Sequence, residues 1–194
     1  MADGCTLLIL AGGRSRRMGR DKAGLPVGDG TLVEHLLRRL APVGSETIVV
    51  GGPHHSDLPG VRRIDDRYPG MGPLAGVHAG LLAANSSWVW AVACDLPDVE
   101  PRVGTLLCSL AVGVDAVVPR LDDGPEGLCA VYDRSLAPRI ASFLEPGQRR
   151  VQDFLAGLDV RYVTAAEIRR VDPELRSFRN LNTPADYEAW LTTR

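Results

Sequence analysis

The chain has 194 residues, with 22 basic and 24 acidic side chains and a formal net charge of -2. This length predicts one domain, and the balanced charge gives no support to a nucleic-acid-binding protein. No basic segment leads into a long apolar stretch, and no run approaches the roughly 18 apolar residues of a membrane span, so we expect a cytoplasmic protein without a signal peptide or membrane contact.

The first predicted element is a short buried strand at residues 7–10, which stops at paired glycines and continues into a basic loop. Glycine allows positive φ, so the backbone N–H groups of Gly12, Gly13 and Gly19 can approach an anion closely. Full positive charge comes from Arg14, Arg16, Arg17, Arg20 and Lys22. The loop matches neither the Walker pattern nor the G-x-G-x-x-G pattern. Its composition favours a polyphosphate site and leaves a solvated basic turn open.

A capping box formed by Thr31 and Glu34 predicts the start of the first helix. The apolar stripe of this helix consists of Leu32, Val33, Leu36, Leu37 and Leu40. His35 falls just outside the stripe, so we expect a partly exposed residue without a catalytic role.

Two strands are predicted next, at Glu46–Val50 and Val61–Ile64, and Asp66 lies just beyond the second. Asp66 is a candidate site residue because ligands of open α/β sheets collect at the carboxyl ends of strands. The most continuous apolar strand covers residues 88–94 and ends at Asp95. A carboxylate there is costly to bury, so either it holds Mg²⁺ that carries nucleotide phosphates or it caps the next helix, and the two interpretations are equally supported.

The second half continues the alternation, with helices predicted at 102–110, 135–145 and from 148, and strands at 115–119, 128–132 and 160–163. Arg149 and Arg150 begin one of these helices, where two cations oppose the helix dipole unless an anion is bound; a solvated helix start is equally possible. Asn180 and Asn182 alternate in an extended segment, so both amides point to one side and can read a polar ring edge.

This alternation of strands and helices, with short Gly/Pro connections, predicts the fold class. We expect a single-domain α/β protein, a three-layer Rossmann-like sandwich with a mainly parallel sheet. The cysteines lie mainly in apolar stretches without C-x-x-C spacing, so we expect four buried free thiols. These are Cys5, Cys94, Cys108 and Cys129.

The first loop resembles the signature of nucleotidyltransferases that join a nucleoside monophosphate to a phosphorylated acceptor. The resemblance is carried by Leu10-Ala11-Gly12-Gly13-x-Ser15-x-Arg17-Met18-Gly19-x-Asp21-Lys22. The double glycine followed by Arg-Met-Gly-x-Asp-Lys is most similar to the molybdenum cofactor guanylyltransferases, whereas cytidylyltransferase relatives tend to have Ala-Ala-Gly at this point.

Four further motifs extend the resemblance in the same order over nearly the whole chain. They are Asp66 with Gly72-Pro73-Leu74-Ala75-Gly76, then Cys94-Asp95-Leu96-Pro97, Arg149-Arg150-Val151, and Asn180-Leu181-Asn182-Thr183-Pro184. Two positions depart from the family's pattern. Relatives can have an asparagine where this chain has Gly51, and a histidine near Glu126.

The resemblance implies a fold of the nucleotide-diphospho-sugar transferase type and a reaction. GMP would pass from GTP to the terminal phosphate of molybdopterin, with release of pyrophosphate. The nucleotide would be bound by Leu10, Ala11, Gly12, Gly13, Arg17, Lys22 and Asp66, the Mg²⁺ cofactor by Asp95, and the acceptor by Arg149, Arg150, Asn180 and Asn182. Arg17, Lys22 and Asp95 would be the catalytic set.

This assignment divides the single domain into a nucleotide-binding part, about residues 5–100, and an acceptor-binding part, about residues 101–194. Proteins of molybdoenzyme maturation would be further partners, and the sequence does not indicate an oligomeric state. One alternative is the same chemistry with CTP or another phosphorylated acceptor. The other is a non-catalytic nucleotide-binding protein that acts in cofactor delivery.

Overall fold

The computed structural model describes residues 4–12, 22–51 and 59–193. Ten strands are formed in this part of the chain. They are β1 (Thr6–Leu10), β2 (Pro26–Val27), β3 (Gly30–Thr31), β4 (Glu46–Val50), β5 (Val61–Ile64), β6 (Trp88–Ala93), β7 (Ala116–Leu121), β8 (Gly124–Pro125), β9 (Cys129–Asp133) and β10 (Val160–Thr164).

Seven α-helices are formed in the same described ranges. They are α1 (Leu32–Leu40), α2 (Pro73–Ala83), α3 (Pro101–Ser109), α4 (Ala137–Leu144), α5 (Val151–Leu155), α6 (Ala165–Ile168) and α7 (Pro184–Thr192). The predicted capping box begins α1, where the Thr31 hydroxyl accepts from the Glu34 amide. Among these helices, none has both the length and the apolar character needed to cross a lipid bilayer.

The main sheet has the strand order β10-β7-β9-β6-β1-β4-β5, with β8 paired to β7. Strands β6, β1, β4 and β5 run parallel to one another, and so do β7 and β10, whereas β9 is antiparallel to both β6 and β7. The prediction of an α/β fold with a mainly parallel sheet is confirmed. Because β1 lies between β4 and β6, the carboxyl ends of three parallel strands meet at one edge.

Helices cover both faces of this sheet and give it two apolar cores. Successive side chains of β1 point to opposite faces: Leu7 and Ile9 pack with α1 and α3, and Leu8 and Leu10 pack with α2 and α4. All four of these side chains are buried. Burial of each such side chain stabilises the fold by about 1.5 to 3 kcal/mol, so the two cores anchor β1 in the centre of the molecule.

A third, smaller cluster joins the C-terminal helix to the segment after the first loop. Leu25, Val27 and Leu32 pack against Leu181 and Trp190. Helix α7 begins at a capping box in which the Thr183 hydroxyl accepts from the Asp186 amide. The small cluster therefore holds the end of the chain against the segment that begins at Lys22.

One prediction about the cysteines is wrong. Cys5 and Cys108 form a disulfide, with Cα atoms 6.4 Å apart, while Cys94 and Cys129 are buried and form no disulfide, as expected. The disulfide joins the residue before β1 to α3, and its two cysteines are 103 residues apart in the sequence. Spacing along the chain could not reveal this contact because it depends on how α3 packs over the sheet.

The expectation for His35 is also wrong. Its side chain is buried, and its Nε2 lies 3.0 Å from the carbonyl oxygen of Pro97. The ring also packs edge-on against Trp190, with centroids 5.5 Å apart. The periodicity of α1 left this side chain outside the apolar stripe because that pattern contains no information about α7, which covers it.

Candidate active site

The candidate site lies at the edge of the sheet where β1, β4 and β6 end. The Ala11 amide donates to the Val50 carbonyl at 3.0 Å, and the Cys94 amide donates to the Leu10 carbonyl at 3.1 Å. These bonds continue the ladders one residue past the strands. They place Leu10, Ala11 and the following backbone in line with the residues after β6, one of which is Asp95.

Gly12 and Gly51 pass close to each other at this edge. A Cβ atom added to Gly51 would lie 2.7 Å from the Cα of Gly12, and Gly51 has a φ of 76°. Both features exclude a side chain unless the backbone shifts. Gly51 therefore offers no side chain to a ligand at this edge. The predicted nucleotide contacts at Gly13 and Arg17 lie outside the described residues.

Lys22 and Asp95 form an ion pair across the site. The Nζ atom of Lys22 lies 3.0 Å from Oδ2 of Asp95, and the two side chains are 14% and 26% exposed. The same ammonium lies 3.4 Å from Oδ1 of Asn182. Three residues predicted as site residues from distant parts of the sequence are therefore in contact.

The C-terminal segment is fixed to the end of β6 by its backbone. The Leu181 amide donates to the Asp95 carbonyl at 2.8 Å. The Asn182 amide donates to the Asp186 carboxylate at 2.9 Å. Hydrogen bonds from the backbone of Thr183 and Asn182 lower the pKa of Asp186, so this carboxylate stays ionised and keeps the segment in place.

A cavity of about 480 Å³ opens beside Asp95. Four of the predicted site residues line it, namely Asp95, Arg149, Arg150 and Asn180. Arg149 also donates from Nη1 to the Gly70 carbonyl at 3.4 Å, and Arg150 precedes α5. Both guanidinium groups are exposed, and this wall of the cavity is positively charged. The arrangement suits a phosphorylated molecule of small to medium size.

Asp66 is not among the residues that line this cavity. Its Oδ1 accepts a hydrogen bond from the Tyr68 amide at 2.8 Å, which forms a turn two residues after β5. Strand β5 is separated from β6 by β1 and β4, a distance of roughly 14 Å across the sheet. Asp66 therefore shares the edge of the sheet with Asp95 without sharing its cavity.

Glu126 lines the cavity although the sequence assigned it no role. Its amide donates to the Pro119 carbonyl at 2.8 Å, directly after the β7–β8 pairing. Burial raises the pKa of its carboxyl group, and the nearby charges of Asp123 and Asp95 raise it further. No local sequence pattern reveals the β7–β8 pairing that brings Glu126 to the same cavity as Asp95.

The family model of the MobA-like NTP transferase domain matches residues 7–164. The chain belongs to this family. A member from Carboxydothermus hydrogenoformans, named "Probable molybdenum cofactor guanylyltransferase", is 33% identical over 186 residues, which cover 96% of this chain and 94% of that protein.

Two further members of the family support the match. "Molybdenum cofactor guanylyltransferase" from Syntrophotalea carbinolica is 35% identical, over 94% of this chain and 89% of that protein. The crystal structure of "Molybdopterin-guanine dinucleotide biosynthesis protein A" from Archaeoglobus fulgidus superposes with a TM-score of 0.83 at 30% identity and covers 97% of both chains. The family resemblance predicted from the sequence motifs is confirmed, as is the nucleotidyltransferase type of fold.

Proposed function

We propose that this protein is a molybdenum cofactor guanylyltransferase. It transfers GMP from GTP to the terminal phosphate of molybdopterin and releases pyrophosphate. The names of the relatives support the substrates. The observation that carries the proposal for this chain is the contact between Lys22 and Asp95, at 3.0 Å, beside a cavity lined by two arginines.

Such a transfer asks mainly for positioning and charge neutralisation from the protein. We assign binding of the triphosphate to Lys22, to the amides of Gly12 and Gly13, and to Arg17. The backbone of Leu10 and Ala11 holds the guanine nucleotide, and Asp66 helps to fix the nucleoside. A phosphate oxygen of the acceptor then attacks the α-phosphate of GTP, the new P–O bond forms, and the bond to the leaving pyrophosphate breaks.

Enzymes of this family generally use a divalent metal ion, and we assign Mg²⁺ to Asp95. The residues present fit this ion, because Asp95 offers a partly exposed carboxylate at the mouth of the cavity. The described residues contain no group of three or more His, Cys, Asp or Glu side chains that could hold a metal. Magnesium commonly takes one or two protein ligands together with phosphates and water. When bound, it neutralises charge on the phosphates.

We assign the acceptor to the cavity beyond Asp95. Arg149 and Arg150 present planar guanidinium groups, which bind phosphate oxygens in pairs, and both line the cavity with Asn180. We assign Asn182, which contacts Lys22, to the same acceptor side. Residues of about 5–100 thus serve the nucleotide and residues of about 101–194 serve the acceptor. We place the reaction in the cytoplasm, where maturation proteins of molybdoenzymes would receive the product.

The test is release of pyrophosphate from GTP, magnesium and molybdopterin, with each component omitted in turn. Release that needs all three, together with a product of the mass of molybdopterin guanine dinucleotide, is the expected result. Parallel reactions with CTP and UTP should release little pyrophosphate. Equal or faster release with CTP would overturn the assignment of GTP, and binding of GTP without any release would overturn catalysis.

A further inference from the structure

Two oxygen atoms from different parts of the chain converge on the ammonium group of Lys22. One is the carboxylate Oδ2 of Asp95 at 3.0 Å, and the other is the amide Oδ1 of Asn182 at 3.4 Å. A carboxylate and an amide carbonyl are both ligand types that hard divalent cations take from proteins. The position of Lys22 Nζ is therefore a place that already holds one positive charge.

The backbones that carry the two oxygens are fixed by hydrogen bonds that do not involve Lys22. Asp95 and Leu181 are joined by a backbone hydrogen bond of 2.8 Å, and Asn182 is fixed by the Asp186 carboxylate at 2.9 Å. Lys22 reaches the position on a flexible four-carbon stem, from a backbone whose carbonyl accepts from the Leu25 amide at 3.1 Å. The ammonium can leave by rotation of its own side chain, whereas the backbones of Asp95 and Asn182 keep their hydrogen bonds.

We propose that Lys22 occupies the divalent-cation position in the nucleotide-free protein, and that Asn182 is the second protein ligand of this position beside Asp95. When the metal–nucleotide complex binds, the ammonium moves onto the phosphates and the metal takes its place. This inference rests on the proposed function for the identity of the nucleotide. It moves Asn182 from the acceptor side to the metal.

The exchange follows from the charges involved. A divalent ion and an ammonium group cannot share the same two oxygens, because like charges a few ångströms apart repel strongly in a partly buried site. The phosphates of the nucleotide remove this conflict, since they supply the ammonium with new anionic partners. Metal alone should then bind weakly, and metal with nucleotide should bind cooperatively.

The effect of Lys22→Ala on metal affinity distinguishes this exchange from a permanent Lys22–Asp95 ion pair. If the pair only stabilised the fold, Lys22→Ala would leave metal affinity unchanged or weaken it. If Lys22 competes with the metal, Lys22→Ala should bind Mn²⁺ more tightly than the wild type in the absence of nucleotide. The same variant should bind GTP more weakly, so the two affinities move in opposite directions.

The experiment measures Mn²⁺ affinity of the full chain without nucleotide by electron paramagnetic resonance titration, with circular dichroism as a check on folding. We expect Lys22→Ala to bind Mn²⁺ about 10-fold more tightly than the wild type. Adding Asn182→Ala to that variant should reverse most of the gain. Adding Asn180→Ala, the matched control two residues away, should not change it.

Two results would overturn the proposal. If Lys22→Ala binds Mn²⁺ no more tightly than the wild type, Lys22 does not compete with the metal ion. If adding Asn180→Ala and adding Asn182→Ala to Lys22→Ala give the same Mn²⁺ affinity, Asn182 is not a ligand of the metal ion. Neither measurement contains GTP or molybdopterin, so the metal result and the guanylyl transfer result can fail separately.

Discussion

The backbone amide of Leu181 donates to the carbonyl oxygen of Asp95 at 2.8 Å. The family match ends at residue 164, so this bond brings a segment from outside the matched region to the end of β6. The indole N–H of Trp190 adds a second connection, at 3.0 Å from the Asp98 carboxylate. The last 30 residues therefore complete a site whose centre lies in the first half of the chain.

Asp95→Asn should leave the fold intact and abolish turnover. The amide keeps the size of the side chain but removes the negative charge that we assign to the metal. The metal stabilises the transition state, and losing about 3 kcal/mol of that stabilisation lowers the rate of turnover at least about 100-fold. The measurement is pyrophosphate release at saturating substrates, with thermal unfolding as the control. Near-normal turnover of a folded variant with magnesium would remove Asp95 from the mechanism.

Arg149→Ala and Arg150→Ala should each raise the KM for molybdopterin about 10-fold, because each removes charged hydrogen bonds to an acceptor phosphate. The affinity for GTP should stay within about 2-fold of the wild type, since both side chains line the cavity beyond Asp95. Arg170→Ala, an exposed arginine outside this cavity, is the matched control. A loss of GTP affinity equal to the loss for molybdopterin would show that the arginines serve the nucleotide.

Trp190→Ala should destabilise the protein by about 3 to 5 kcal/mol, because it empties the centre of the small cluster that joins α7 to the segment after Lys22. Trp190→Phe keeps most of the apolar contact and loses only the N–H that meets Asp98, so it should cost about 1 kcal/mol. Chemical denaturation of the two variants measures both costs. Equal stability of the wild type and Trp190→Ala would mean that the cluster does not hold the C-terminal segment.

The pairing of Lys22 with Asp95 could be predicted because both residues follow apolar strands, and strands in a parallel sheet end at one edge. The resemblance marked Asn182 as a residue of the acceptor side, and its contact with Lys22 was not predicted, since no local pattern relates residue 182 to the first loop. The disulfide of Cys5, the burial of His35 and the position of Glu126 could not be predicted. Each depends on an element that packs from far along the chain, and periodicity describes only one element at a time.

Glu167→Gln should destabilise the protein at neutral pH and have little effect in strong acid. Hydrogen bonds from the backbone and hydroxyl of Thr164, together with Arg161, lower the pKa of Glu167 to about 2. In the unfolded chain the group titrates near its ordinary value of 4.5. Because the folded pKa is the lower one, the stabilisation is complete above about pH 4.5 and is lost as the pH falls toward 2.

The group is partly exposed, so the stabilisation that Glu167→Gln removes should stay below about 1 kcal/mol. Urea denaturation of the wild type and the variant between pH 7 and pH 2 measures the difference. The difference in free energy of unfolding between the wild type and Glu167→Gln should decrease steadily below pH 4.5. A double variant with Thr164→Ala should lose less than the sum of the two single changes, because both remove the same capping box at α6. A gap that stays constant with pH would show that the ionised carboxylate does not cap this helix.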